Sequence, residues 1–292
     1  MRTVTSLYFI IKKKDIKNMK VEFLKIGNSI WKWGKKTYVM GILNITPDSF
    51  SDGGSYTNPE IALNQALRMI EEGADIIDVG GETTKPGAVP VSSEIEQQRI
   101  IPVIEALSKE IALPVSVDTY RADTAELAIQ AGAAMINDIW GLKYDSRMAS
   151  IIAEYNVSVC IMHNRTTGTD YGKDLIGTIL KELEGSILIA KNAGIGDDKI
   201  IIDPGIGFAK TWEQNLEVMH SLEDFKRLGY PVLLGTSRKS FIGKVLGLEV
   251  PDRLEGTLAT TAAGISKGVD IVRVHDVLQN VRVAKMTDSM VR

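Results

Sequence analysis

Short apolar segments alternate with longer amphipathic segments along the chain from residue 37 onward. The apolar segments are four to seven residues long and rich in Val and Ile, which is typical of buried strands. Eight of them are predicted as strands: Tyr38–Asn44, Asp75–Gly80, Pro114–Asp118, Ala134–Asp138, Val157–Met162, Lys199–Asp203, Val232–Gly235 and Asp270–Val274.

The segments between these strands carry apolar residues at helical spacing. The clearest predicted helices are Pro59–Glu72, Glu94–Glu110, Thr124–Ala131, Leu175–Ala193 and Glu213–Leu228. Several are followed by glycine, which readily adopts the left-handed conformation at a helix C-terminus. Strands that alternate with helices predict a parallel sheet, and eight such units in 292 residues predict a TIM (β/α)8 barrel of the α/β class. A doubly wound open sheet is the alternative, but no G-x-G-x-x-G motif opens the first helix.

The segment before the first barrel strand predicts an N-terminal β-hairpin. Residues 21–33 alternate around Gly27-Asn28, a pair that favours a tight hairpin turn. In a barrel this hairpin would close the N-terminal end. Residues 1–20 are interpreted as an N-terminal extension that need not be ordered, with Met19 as an alternative start, and residues 21–292 as the barrel domain.

Composition narrows the class of protein. The chain has 34 Lys and Arg against 37 Asp and Glu, which gives no support for nucleic-acid binding. Its single cysteine, Cys160, excludes an intramolecular disulfide and lies in an apolar run that predicts a buried thiol. No apolar run is long enough to span a membrane, and residues 12–14 place lysines after the apolar N-terminal run, unlike a secretory signal. We therefore expect a cytoplasmic protein without membrane contact.

Polar side chains follow every predicted strand, and in a TIM barrel these positions share one rim. Asp118, Asn137 and Asp203 come from the C-terminal parts of three of the strands, and Lys239 follows a fourth. A carboxylate can accept two parallel hydrogen bonds from a guanidine-like edge, so this group suits a 2-amino-4-oxo heterocycle. A second group suits a phosphate or pyrophosphate and comprises Asn44, Thr84, Arg273 and His275. The amide oxygen of Asn44 also suits one ligand position of Mg²⁺.

Four motifs in this order resemble the dihydropteroate synthase family. They are GILNITPDSFSDGG at residues 41–54, DPGIGF at residues 203–208, SRKS at residues 237–240 and RVHDV at residues 273–277. The resemblance runs from about residue 21 to the C-terminus. It implies condensation of (7,8-dihydropterin-6-yl)methyl diphosphate with 4-aminobenzoate, which gives 7,8-dihydropteroate and pyrophosphate in folate biosynthesis.

The resemblance also implies roles for individual residues. The pterin would contact Asp118, Asn137, Asp203 and Lys239. The diphosphate would contact Thr84, Lys85, Arg273 and His275, and Asn44 would ligate Mg²⁺. The aminobenzoate pocket would include Phe50, Pro86, Phe208 and Ser240. Among all of these, the residues expected to act in catalysis are Asn44, Asp118, Lys239, Arg273 and His275. The resemblance further implies a homodimer and a site that sulfonamides can enter.

Two other functions remain open from the sequence. A methyltetrahydrofolate methyltransferase has a related pterin-binding barrel but needs no diphosphate site, so the SRKS and RVHDV motifs argue against it. A non-catalytic pterin-binding paralogue is favoured by one residue, since the family usually has Arg at the position of Lys85. Lysine keeps the charge of arginine but lacks its bidentate fork.

Overall fold

The computed structural model describes residues 21–46, 59–83 and 90–292. Eight parallel strands form the central sheet: β3 (Tyr38–Asn44), β4 (Ile76–Gly80), β5 (Val115–Asp118), β6 (Met135–Asp138), β7 (Ser158–Met162), β8 (Ile200–Asp203), β9 (Leu233–Leu234) and β10 (Ile271–Val274). Their order is β8-β7-β6-β5-β4-β3-β10-β9, and a single parallel bridge between Ile202 and Val232 joins the two ends. The predicted barrel is therefore confirmed.

Nine α-helices lie in the described residues, and they cover the outside of the barrel. They are α1 (Pro59–Glu71), α2 (Ser93–Glu110), α3 (Ala122–Gln130), α4 (Met148–Tyr155), α5 (Leu175–Asn192), α6 (Trp212–His220), α7 (Ser240–Leu246), α8 (Leu254–Ser266) and α9 (Val277–Val291). Their inner faces pack on the strands in one continuous apolar core. Within the described ranges, no helix combines the length and apolar character that a membrane span requires.

The N-terminal hairpin closes one end of the barrel, as its sequence predicts. Strands β1 (Phe23–Ile26) and β2 (Ser29–Lys32) pair antiparallel around Gly27-Asn28. Trp31 is 3% exposed and stacks on Tyr38 with ring centroids 4.2 Å apart. The same buried cluster contains Cys160, which is fully buried as its apolar surroundings predict. Apolar and aromatic side chains therefore fill this end of the barrel.

The prediction of one helix over residues 213–228 is wrong in its second half. Helix α6 ends at His220, and residues 222–228 form a 3₁₀ helix. Leu222, Phe225 and Leu228 are the buried residues of that segment. Their spacing of three matches the three residues per turn of a 3₁₀ helix, so this geometry aligns all three on the core.

Candidate active site

The C-terminal ends of the barrel strands bring most of the predicted residues together. Asn44, Asp118 and Asp203 are the last residues of β3, β5 and β8. Asn137 lies within β6 and Arg273 within β10. Because parallel strands end at the same rim, residues far apart in the chain become neighbours, as Arg273 and Asp118 do at a separation of 155 positions.

Arg273 connects two buried carboxylates at the centre of this rim. Its Nε donates to Oδ2 of Asp78 over 2.6 Å, and one terminal nitrogen donates to Oδ2 of Asp118 over 2.7 Å. The Asn137 amide also donates to Oδ2 of Asp78, over 3.2 Å. The sequence grouped Arg273 with the diphosphate residues, and in the structure its guanidinium also contacts Asp118, a residue grouped with the pterin.

Two buried carboxylate oxygens in this cluster lack a hydrogen-bond partner within the described residues. Among the described residues, neither Oδ1 of Asp78 nor Oδ1 of Asp118 has a hydrogen-bond partner, although both atoms are buried. Burial raises the pKa of Asp118 to about 7, and the neighbouring Arg273 charge opposes that rise. Buried polar atoms without partners are costly, so a ligand that donates hydrogen bonds would be bound favourably here.

Asp203 and Lys239 form the next part of the site. Oδ1 of Asp203 accepts the Gly205 backbone N–H over 2.7 Å. Burial lowers the pKa of Lys239 to about 8, while the Asp203 charge opposes that shift. The Lys239 ammonium donates to the Ile206 carbonyl and lies 4.7 Å from the centre of the Phe208 ring. A hydrogen-bond acceptor (Asp203), a donor (Lys239) and an aromatic ring (Phe208) therefore belong to the same part of the rim.

Gly235 has no side chain at the point where these groups meet. A methyl group there would lie 3.7 Å from Nζ of Lys239, 3.9 Å from Oδ2 of Asp203 and 4.0 Å from Cβ of Arg273. These are ordinary contact distances, so the fold can accommodate the methyl group. A ligand bound between these side chains would need the same space.

We therefore expect Gly235→Ala to raise the KM for a pterin substrate about tenfold or more, with a stability change within about 1 kcal/mol. Substrate titrations and urea unfolding measure the two effects. Gly185→Ala is the matched control, because Gly185 lies exposed in α5 with nothing near its added Cβ. An unchanged KM in Gly235→Ala would place the ligand elsewhere.

His275 is positioned by a serine that the sequence analysis did not select. The Ser237 hydroxyl lies 2.9 Å from Nδ1 of His275 and accepts the His275 backbone N–H over 3.1 Å. Arg238 makes two hydrogen bonds to Asp276, of 2.9 and 2.6 Å, which tie the turn after β9 to the turn after β10. The exposed Ser240 begins α7 beside this tie. Lys239, Ser240 and His275 therefore lie on one connected pair of turns.

The proposed metal ligand is a single amide. Asn44 is half-buried at the end of β3, and its Oδ1 faces Gly80 on the neighbouring strand β4. In the described part of the chain, no group of three His, Cys, Asp or Glu residues could hold a metal ion. One hard oxygen fits a Mg²⁺ ion carried mainly by diphosphate and water, and does not fit a metal held by the protein alone.

Several predicted residues lie outside the described residues. These are Phe50, Thr84, Lys85 and Pro86, together with the whole N-terminal extension. Their proposed roles remain predictions from the sequence.

The sequence analysis missed Asp78 as a member of the site. Asp78 is fully buried in β4, within the apolar run Ile76-Ile77-Asp78-Val79. A carboxylate inside a buried strand is costly unless it is paired. An acidic residue inside an apolar run was therefore the signal that Asp78 needs a cationic partner. The sequence did not show that this partner is Arg273.

Comparisons with known proteins give one consistent result. A family model described as pterin binding enzyme matches residues 40–275. A dihydropteroate synthase of Clostridium beijerinckii is 57% identical over 270 residues, which covers 92% of this chain and all of that protein. A dihydropteroate synthase structure from Clostridium difficile with pteroic acid is 55% identical, with a TM-score of 0.87 over 89% of this chain and 98% of the other. One from Xanthomonas albilineans with 4-aminobenzoic acid is 39% identical, with a TM-score of 0.87 over 92% and 98% of the two chains.

Proposed function

This chain belongs to the dihydropteroate synthase family, and from that premise we propose how its barrel mouth performs the family's reaction. The enzyme is a transferase that condenses (7,8-dihydropterin-6-yl)methyl diphosphate with 4-aminobenzoate, giving 7,8-dihydropteroate and pyrophosphate. One observation supports placing this reaction at the rim. In the buried Asp78–Arg273–Asp118 cluster, two carboxylate oxygens have no hydrogen-bond partner among the described residues.

The pterin ring is proposed to bind across the rim between Asp118, Asn137 and Asp203. The 2-amino group and the adjacent ring N–H are donors, and buried carboxylates are the acceptors that match them. Lys239 supplies a donor for the ring carbonyl or a ring nitrogen. The positive charge of Arg273 balances the negative charges of Asp78 and Asp118 before and during binding of the ring. The site is therefore organised before the substrate arrives.

The diphosphate is proposed to leave towards Arg273, His275, Thr84 and Lys85. The dihydropterin ring is electron-rich, so it can stabilise positive charge on its methylene group as the C–O bond breaks. The protein then needs to stabilise the leaving anion and to position the reactants. Asn44 would hold Mg²⁺ on the diphosphate, and the ion would neutralise the charge that develops there.

The aminobenzoate is proposed to bind beside Phe208 and Ser240, with Phe50 and Pro86 completing the pocket. Its aryl amine is uncharged at neutral pH and attacks the methylene carbon with its lone pair. The proton of the resulting ammonium is acidic and passes to solvent, so a general base is not required. Sulfonamides resemble aminobenzoate and would compete for this pocket.

Pyrophosphate release tests the proposed function directly. The dihydropterin diphosphate and Mg²⁺ are mixed with the protein, with and without 4-aminobenzoate, and dihydropteroate is followed in parallel. Release that depends on aminobenzoate and equals product formation supports the synthase. Tight pterin binding in calorimetry without product would instead support a non-catalytic paralogue, and Lys85→Arg would then show whether that residue is responsible.

The metal requirement gives a separate prediction. We expect EDTA to abolish turnover, and Asn44→Leu to raise the Mg²⁺ concentration for half-maximal rate about tenfold, because one hard oxygen ligand is lost. Initial rates over a Mg²⁺ titration measure this. Asn64→Leu, on the solvent side of α1, is the control. Full activity of the wild-type protein in EDTA would remove Mg²⁺ from the proposal.

We also propose that the enzyme is a homodimer. Helices α8 and α9 pack against each other on the barrel surface. They expose Ala259 and Ala263 on one and Met286 and Met290 on the other, and the two methionines are 60% and 61% exposed. These exposed apolar side chains on two adjacent helices support a contact between two copies. Light scattering should give twice the mass of one chain, and Met286→Glu should reduce it to that of a single chain.

A further inference from the structure

A lysine outside the proposed contacts holds the turn that carries Phe208. The Lys210 ammonium donates to the carbonyl oxygens of Gly205 and Phe208, over 3.0 and 3.2 Å. It also lies 2.9 Å from Nδ1 of His163, at the end of β7. Lys239 bonds the same turn at the Ile206 carbonyl, from the barrel mouth. Two ammonium groups therefore hold one turn.

The turn is strained and depends on these contacts. Gly205, Gly207 and Ala209 have φ values of 72°, 83° and 45°. Ala209 is a non-glycine residue in the left-handed region, which persists only where surrounding contacts enforce it. The Tyr171 hydroxyl donates to the Ala209 carbonyl over 2.9 Å. Gly205 is so closely packed that an added Cβ would overlap the His163 carbonyl oxygen.

A buried histidine and a glutamate complete the anchor. His163 is 1% exposed, and its Nε2 lies 2.9 Å from Oε2 of Glu182 on α5. Burial and the nearby cations lower the pKa of His163 to about 2, so the ring is neutral. The neutral ring donates its Nε2–H to Glu182, which leaves the Nδ1 lone pair to accept from Lys210. Burial lowers the pKa of Lys210 to about 7; the charges of Asp203 and Glu182 oppose that shift, and the charges of Lys239 and Arg165 add to it.

We propose that Lys210, supported by His163 and Glu182, is a positioning residue that keeps Phe208 in place as a wall of the aminobenzoate pocket. This inference rests on the proposed function. When a pterin engages Lys239, the bond from Lys239 to Ile206 can be exchanged for one to the ligand. The Lys210 bonds to the Gly205 and Phe208 carbonyls involve none of the proposed pterin contacts, so they persist and the wall keeps its position for the second substrate.

Steady-state kinetics with both substrates test the proposal. We expect Lys210→Met to raise the KM for 4-aminobenzoate roughly tenfold, the effect of about one lost charge-assisted hydrogen bond, and to change the KM for the pterin diphosphate less than about threefold. Lys226→Met is the matched control. Lys226 also donates to a backbone carbonyl, that of Gly268 over 2.7 Å, but at the closed end of the barrel. It should change neither KM.

Rebuilding the ammonium group at position 210 distinguishes a positioning role of Lys210 from a general loss of protein stability. Lys210→Cys is made in a Cys160→Ala background, which leaves one cysteine in the chain. Alkylation in denaturant with 2-bromoethylamine, followed by refolding, rebuilds an ammonium of lysine length, and iodoethane adds an uncharged ethyl group as control. Only the amine should return the aminobenzoate KM to within about threefold of the parent.

The possible results distinguish a failure of the Lys210 proposal from a failure of the proposed synthase function. If the unmodified chain forms no dihydropteroate, the function itself fails. If it turns over but Lys210→Met leaves both KM values unchanged, or raises both equally, the positioning role of Lys210 is wrong. Equal recovery by the amine and the ethyl group would likewise overturn it, because the charge would then be irrelevant.

Discussion

Replacing Arg273 by methionine is expected to lower kcat/KM for the pterin diphosphate by about 100- to 1,000-fold and to destabilise the fold by about 3–5 kcal/mol. The Arg273 side chain is 18% exposed and bonds two carboxylates, of which Asp78 is fully buried and Asp118 is 8% exposed. Methionine fills much of the same volume but leaves both acids without their cation. The free energy of unfolding from urea titration and the steady-state rates measure the two effects.

A second substitution separates the charge effect from packing. Adding Asp78→Asn to Arg273→Met removes one of the two uncompensated acids, so it should recover part of the stability without restoring activity. Arg273→Lys should be intermediate, since one ammonium cannot reach both acids as a planar guanidinium does. If Arg273→Met folds and reacts like the wild-type protein, the buried cluster is not the organising element of the site.

Replacing Asp203 by asparagine should lower kcat/KM for the pterin diphosphate roughly a hundredfold, or about 3 kcal/mol, with little change in unfolding temperature. The amide oxygen can keep the 2.7 Å bond to the Gly205 N–H, so the turn after β8 remains formed. The amide NH₂ would replace a carboxylate oxygen and face the donors of the pterin edge. The charge-assisted hydrogen bond from the pterin to the carboxylate would be lost, and the asparagine NH₂ would face a pterin N–H, donor against donor.

The same substitution should change the pH dependence of the reaction. Burial lowers the pKa of Lys239 to about 8, and the Asp203 charge counteracts that shift. Without this charge the pKa of Lys239 falls further, so the ammonium is lost as pH rises through a lower value. The alkaline limb of kcat/KM should therefore move to lower pH in Asp203→Asn.

Asp270→Asn is the matched control for this result. Asp270 is 1% exposed, and its Oδ2 accepts the Val232 N–H over 3.0 Å at the closed end of the barrel. Its replacement should affect stability and leave the pH profile unchanged. A wild-type profile for Asp203→Asn would show that Asp203 neither binds the pterin nor controls the charge of Lys239.

The sequence predicted the barrel well because each element has a local cause. The apolar runs that form β3 to β10 are recognisable from their own residues, and the limits of β3 are Tyr38–Asn44 as predicted. The hairpin followed from Gly27-Asn28. The exception was residues 213–228, where spacings of three and four both fit part of the pattern and packing on the core selected the 3₁₀ geometry.

The candidate site was predicted less completely than the fold. Position in the chain identified Asp118, Asn137, Asp203 and Lys239, because a residue at a strand end must lie at the rim of a parallel barrel. The sequence could not assign partners across the barrel. Arg273 pairs with Asp78 and Asp118 at separations of 195 and 155 residues. Lys210 was not selected at all, since its partners lie directly after β7 and in its own turn.

The sequence by itself determined the fold class, the closed end of the barrel and the rim to which the polar residues belong. The tertiary structure alone decided that Asp78 joins the site, that Arg273 bridges two carboxylates and that Lys210 supports the turn of Phe208. The physical reason is the range of the interactions involved. Apolar periodicity and turn preference act over a few residues, whereas desolvation and charge pairing depend on which distant groups the closed barrel brings together.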